Sequence, residues 1–142
     1  MHGVSIGRLL LLVALAVGAT REAAGQARSL EIVSFHSDIR IRAEGDLDFT
    51  ERLDVRFSGS WNGIFRQIPV EYENGYGANY RLRIEVLSVE DAAGRALRYD
   101  SEREGRNLSL RIFVPGAVDA TRTVVLRYRA LNGLRFFEEH DE

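Results

Sequence analysis

From Leu47 to Ser58 the odd positions carry Leu47, Phe49, Glu51, Leu53, Val55 and Phe57, and the even positions carry Asp48, Thr50, Arg52, Asp54, Arg56 and Ser58. A period of two places one set of side chains on each face of an extended chain, so this segment predicts a half-buried β-strand. Ile39-Arg40-Ile41-Arg42-Ala43 alternates in the same way, and Glu44-Gly45-Asp46 between the two runs predicts the turn of a hairpin. Further alternation runs through Tyr80 to Val86, Leu108 to Val114 and Val124 to Ala130. The breaks fall at Gly75 and Gly77, Asp91 to Gly94, Glu104-Gly105-Arg106 and Pro115-Gly116, where turn chemistry is concentrated. No sustained stripe of period 3.6 occurs after residue 28. The pattern therefore predicts an all-β chain, an antiparallel β-sandwich with immunoglobulin-like layers. Its expected core draws on Leu47, Phe49, Leu53, Val55, Phe57, Leu82, Ile84, Val86, Leu110, Ile112, Val124 and Leu126.

The first 27 residues differ in kind. An apolar run from Leu9 to Ala19 follows Arg8 and is succeeded by small residues through Gly25-Gln26-Ala27, the layout of a cleavable secretory signal. Arg21 and Glu22 end the run well short of the roughly 20 apolar residues a membrane helix needs. The reading is a signal segment at 1–27 and an extracytoplasmic domain at 28–142. Its expected location is the periplasm or the outer face of the cytoplasmic membrane.

Composition narrows the chemistry. The absence of cysteine excludes a thiol nucleophile, thiolate zinc sites and a lipid-bearing cysteine, and an exported domain without disulfides must be held by its core alone. The 19 basic residues stand against 21 acidic ones, and a net charge of -2 offers no broad cationic face, so no nucleic-acid partner is expected. His36 stands alone, and His140-Asp141-Glu142 lies at the chain end. With no histidine pair at ligand spacing, no metal or other cofactor is expected.

Glu51 is the most informative residue, because it interrupts an otherwise apolar row. A buried carboxylate needs a partner, and Arg66 in Gly63-Ile64-Phe65-Arg66-Gln67-Ile68-Pro69 is the candidate for a structural ion pair. A β-bulge that turns Glu51 outward, or a ligand-facing or catalytic role for it, are the other readings. The segment Gly59 to Arg66 holds the only Trp. Trp61 and Arg66, with Tyr72, Tyr76 and Tyr80 in the Glu71–Tyr80 stretch, are candidate contacts for a protein or glycan partner. The plainer alternative is that Trp61 seals one end of the sandwich while the tyrosines lie over a hairpin edge. Asp46 and Asp48 read as a solubilising strand edge.

The motifs Glu44-Gly45-Asp46-Leu47, Thr50-Glu51, Gly63-Ile64-Phe65-Arg66-Gln67-Ile68-Pro69 and Phe136 to Glu142 together resemble the DUF2207 family of uncharacterised predicted bacterial membrane proteins. The resemblance implies an extracytoplasmic β-rich domain, membrane helices further along the polypeptide and no enzyme activity. The chain ends at Glu142 inside a motif that the family continues. It is therefore expected to be the amino-terminal piece of a longer protein, attached to the membrane through a downstream segment, with a sheet edge left open where a final strand is missing. The expected function is non-catalytic, a binding or scaffold domain of the bacterial envelope. The alternative is an envelope glycan hydrolase using Glu51, which would need a second carboxylate about 5–9.5 Å away in an open cleft.

Overall fold

The computed structural model describes residues 27–73 and 79–134. They form nine strands and no helix: β1 Ser29–Ile41, β2 Leu47–Ser60, β3 Gly63–Pro69, β4 Glu71–Glu73, β5 Asn79–Arg81, β6 Arg83–Glu90, β7 Tyr99–Glu104, β8 Asn107–Phe113 and β9 Val118–Leu131. All pairings are antiparallel. One sheet has the order β1-β2-β9-β6, a second the order β3-β8-β7, and β4 with β5 makes a short ribbon. The signal segment expected at 1–27 lies, but for Ala27, outside the described residues.

The alternation in sequence becomes the inside and outside of these sheets. Register sets Leu53, Val55 and Phe57 of β2 opposite Val124, Arg122 and Ala120 of β9, and the inward side chains of β2 and β9 meet Ile64 and Ile68 of β3 and Leu110 and Ile112 of β8. Phe57, Val55, Leu110, Ile112, Val124 and Leu126 are almost wholly removed from water. Burial of each such side chain contributes about 1.5–3 kcal/mol before chain entropy is counted.

Two loops depend on glycine. The β1–β2 turn closes with the Gly45 amide donating to the Arg42 carbonyl at 3.0 Å, and Gly45 sits at φ 87°. Gly63 opens β3 at φ 155°, and a Cβ there would lie 1.9 Å from the Ile112 carbonyl oxygen. Only glycine lets the chain turn from the first sheet into the second at this closeness.

Three expectations need correction. Leu47, Phe49, Leu82, Ile84 and Val86 are only partly buried, because the smaller sheet does not reach over them fully. The first strand spans 13 residues where alternation alone predicted only the stretch from Ile39, and every residue of it is exposed. Asp48 is not on an edge: β2 is flanked by β1 and β9, and Asp48 accepts from Arg129 Nε at 2.6 Å and from Arg42 Nη1 at 3.2 Å on the outer face. The Arg129 hydrogen bond holds the Asp48 carboxyl below the usual carboxylate range.

Candidate functional site

The inward row of β2 places Glu51 between the two sheets, where it is 3% exposed. Arg66 stands on the inward row of β3, between Ile64 and Ile68. Its guanidinium meets the carboxylate side-on, Nε to Oε2 at 2.8 Å and Nη2 to Oε1 at 2.7 Å. Two parallel charge-assisted bonds of this kind fix orientation as well as charge. Tyr128 of β9 adds a third donor, its hydroxyl 2.8 Å from Glu51 Oε1, while its ring stacks on Phe49 at 4.7 Å and 7°. Arg66 Nη1 also donates to the Gln67 carbonyl.

The electrostatics follow the geometry. The Glu51 hydrogen bond raises the Arg66 pKa, and burial, followed by the same carboxylate, pushes the Tyr128 phenol well above its ordinary value. The centre is a salt bridge beside a phenol kept protonated. Both carboxylate oxygens are occupied, and no buried side-chain nitrogen or oxygen among the described residues lacks a hydrogen-bond partner. Three donors hold the carboxylate, two of them on Oε1 and one on Oε2. Asp48 and Asp54 lie at even positions of β2, on the opposite face of the sheet from Glu51.

The aromatic candidates divide between the two ends of the sandwich. Trp61 lies at the β2–β3 turn, donates Nε1–H to the Ser58 carbonyl at 2.9 Å, packs tilted on Phe57 and carries Arg28 over its ring at 4.6 Å. Tyr72 and Tyr80 face each other in the β4–β5 ribbon beyond the far end of β3. The Tyr72 hydroxyl donates to the Pro69 carbonyl at 3.1 Å, and that of Tyr80 donates to the Asn132 carbonyl. The seven residues of β3 set the two groups about 20 Å apart, so Trp61 does not share one contact surface with Tyr72 and Tyr80. Tyr76 lies outside the described residues. No cluster of metal-binding side chains occurs among the described residues.

Two features escaped the residue-by-residue reading. Tyr128 was legible in principle: a tyrosine in the apolar row Val124, Leu126, Tyr128, Ala130 needs a polar partner, and Glu51 is the matching anomaly on the facing strand. The other is β1. Its register with β2 puts Leu30, Ile32, Phe35, Ile39 and Ile41 on the same face as Phe57, Val55, Leu53, Phe49 and Leu47. That is the inward face, yet these side chains are 37–64% exposed. A groove of about 470 Å³ lies at the Leu30 and Ile32 end of this row, lined by those two, Leu53, Val55 and Ile64 to Gln67, and farther along the Arg66 guanidinium sits 5.9 Å from the Phe35 ring.

A family model described as the N-terminal domain of a predicted membrane protein, DUF2207, matches residues 31–142. The chain belongs to this family. No curated protein and no solved structure matches it. The family match covers every described strand but the first two residues of β1, so the Glu51–Arg66–Tyr128 centre and the open β1 edge both belong to the DUF2207 N-terminal domain. Among the described residues no helix is long and apolar enough to cross a membrane.

Proposed function

We propose that this DUF2207 domain is a non-catalytic interaction or scaffold domain, held outside the cytoplasm beside the membrane-embedded part of its protein. The observation that carries the reading is the state of Glu51. The carboxylate in the core is closed from water and spends both oxygens on Arg66 and Tyr128, so it acts as a clamp between the sheets. That state supports a role for the domain's surfaces and edges over chemistry at Glu51. The apolar run at Leu9–Ala19 supports export.

Two measurements test this. A periplasm-dependent reporter fused after Leu134 is expected to be active, and an inactive fusion with intact expression would place the domain inside the cell. Purified protein is expected to release no soluble product from labelled cell-wall glycan. Release that disappears in Glu51→Gln would instead make the domain a hydrolase.

A further inference from the structure

The two sheets are offset. On one side of the sandwich β7 lies beneath β6, and on the other β3 lies beneath β2, which leaves β1 of the four-stranded sheet with no strand beneath it among the described residues, only the Arg66 guanidinium reaching the Phe35 ring at 5.9 Å. Both edges on that side, β1 above and β3 below, have no further strand partner among the described residues. A long apolar edge strand is a template for strand addition unless charges, bulges or short length blunt it. The opposite side is blunted: β6 has a register shift at Val86/Ser88 with Arg83 and Glu85, and β7 carries Asp100, Glu102, Arg103 and Glu104. β1 has 13 residues, with Phe35 52% and Ile41 64% exposed, and its own register shift is confined to Ile32/Ser34.

We propose that two copies of this domain interlock at this edge, each laying its β1 into the gap beneath the other's β1 and beside the other's β3. The argument is one of shape. The strand that overhangs in one layer is the strand missing from the other, so a twofold axis parallel to the strands makes the two defects complementary. The order β6-β9-β2-β1 of one copy is then continued by β3-β8-β7 of the second, and the same holds in the other layer. β1 and β3 run in the same direction, because β2 reverses the chain once and the Trp61–Asn62 turn reverses it again, so the new ladder is parallel. The inward rows of the two β1 strands face each other at the centre, which removes Ile32, Phe35 and Ile39 from water in both copies. Such an isologous contact closes on itself and does not propagate into fibres.

This inference deepens the interaction-domain reading and rests on it, but the two fail separately. A monomer would overturn the pairing alone, whereas Glu51-dependent glycan release would overturn the reading beneath it. The test uses the full chain in mild detergent, measured by light scattering on a sizing column. A dimer is expected, and Phe35→Glu with Ile39→Glu is expected to weaken it by at least about 100-fold. Leu87→Glu on the opposite edge is expected to leave it intact. An unchanged melting temperature shows that the β1 variant is folded. Because the chain has no cysteine, single cysteines report the arrangement through a short bismaleimide. His36→Cys and Gln67→Cys lie on opposite outer faces of one copy but on adjacent strands across the proposed interface. Mixed variants are expected to cross-link His36→Cys to Gln67→Cys and neither to itself. A monomer at high micromolar concentration, a dimer that survives the β1 variant, or cross-linking of His36→Cys to itself would each overturn the proposal.

Discussion

Arg66→Ala is the sharpest perturbation of the fold. It removes the guanidinium from a carboxylate that is 3% exposed, and leaves the Tyr128 hydroxyl as the one donor described for Glu51. Truncating one partner of a buried ion pair costs about 3–5 kcal/mol, since the surviving charge stays desolvated. The Arg66 side chain is itself 25% exposed, so water reaches the vacated site and the expected loss falls at the low end, about 3 kcal/mol. With roughly 100 ordered residues and an unfolding entropy near 2 cal/mol/K per residue, that corresponds to a fall in Tm of about 14 °C. Glu51→Gln keeps the shape but gives up the charge-assisted bonds, and is expected to lose about 2 kcal/mol. The double variant Glu51→Leu/Arg66→Met exchanges the pair for hydrocarbon of similar volume and is expected to be more stable than either single variant. Thermal melts followed by circular dichroism check all three. If Arg66→Ala melts within about 3 °C of the parent, or if the losses of the double variant simply add, the pair does not clamp the sheets as reasoned here.

Tyr128→Phe is expected to cost about 1.5–2 kcal/mol by leaving Glu51 one donor short. It is also expected to shrink the alkaline loss of stability: a phenol raised in the folded state stabilises fully below its ordinary value of 10.0 and loses that contribution as pH rises beyond it, and no lysine is present to mask the effect. Gly63→Ala is expected to destabilise by at least about 2–3 kcal/mol in urea melts, because its methyl group would collide with the Ile112 carbonyl, whereas Gly94→Ala, with open space around it, costs less. On the acid side, Asp54 is held low by the Thr123 and Ser34 hydroxyls, Glu71 by Arg81 and Glu90 by Arg127. Their stabilisation is present above the ordinary carboxylate values of 3.8 and 4.5 and is lost as pH falls through the lower folded values. Tm is therefore expected to hold steady down to about pH 5 and then drop, more shallowly in Asp54→Asn; an identical acid limb in that variant would refute the assignment.

Much of this was legible along the chain. Alternation found β2, β8 and β9, and the lone acid in an apolar row marked Glu51 as a residue in need of a cation. Arg66 could be named as the candidate because it follows in the next segment, where the strand pair can fold back on itself. Tyr128 was missed because only its hydroxyl sets it apart from its apolar neighbours, and the pairing of that hydroxyl with Glu51 depends on the register of β2 with β9. The aromatic candidates looked like one cluster because they are close in sequence, but an extended strand of seven residues separates Trp61 from Tyr72 and Tyr80.

The parity of a side chain along an extended segment is a local property, set by backbone geometry, and for that reason the all-β character, the turn glycines and the buried acid could be read from residue order. Whether an inward face is covered is a property of the opposite layer, assembled from the separate segments β3, β7 and β8. β1 keeps the two-residue period on either side of its shift at Ile32/Ser34, yet β3 packs beneath β2 and no described strand packs beneath β1. Hydrophobic pattern tells a strand which way to face, and only the count and offset of the packed sheets tells it whether anything is there.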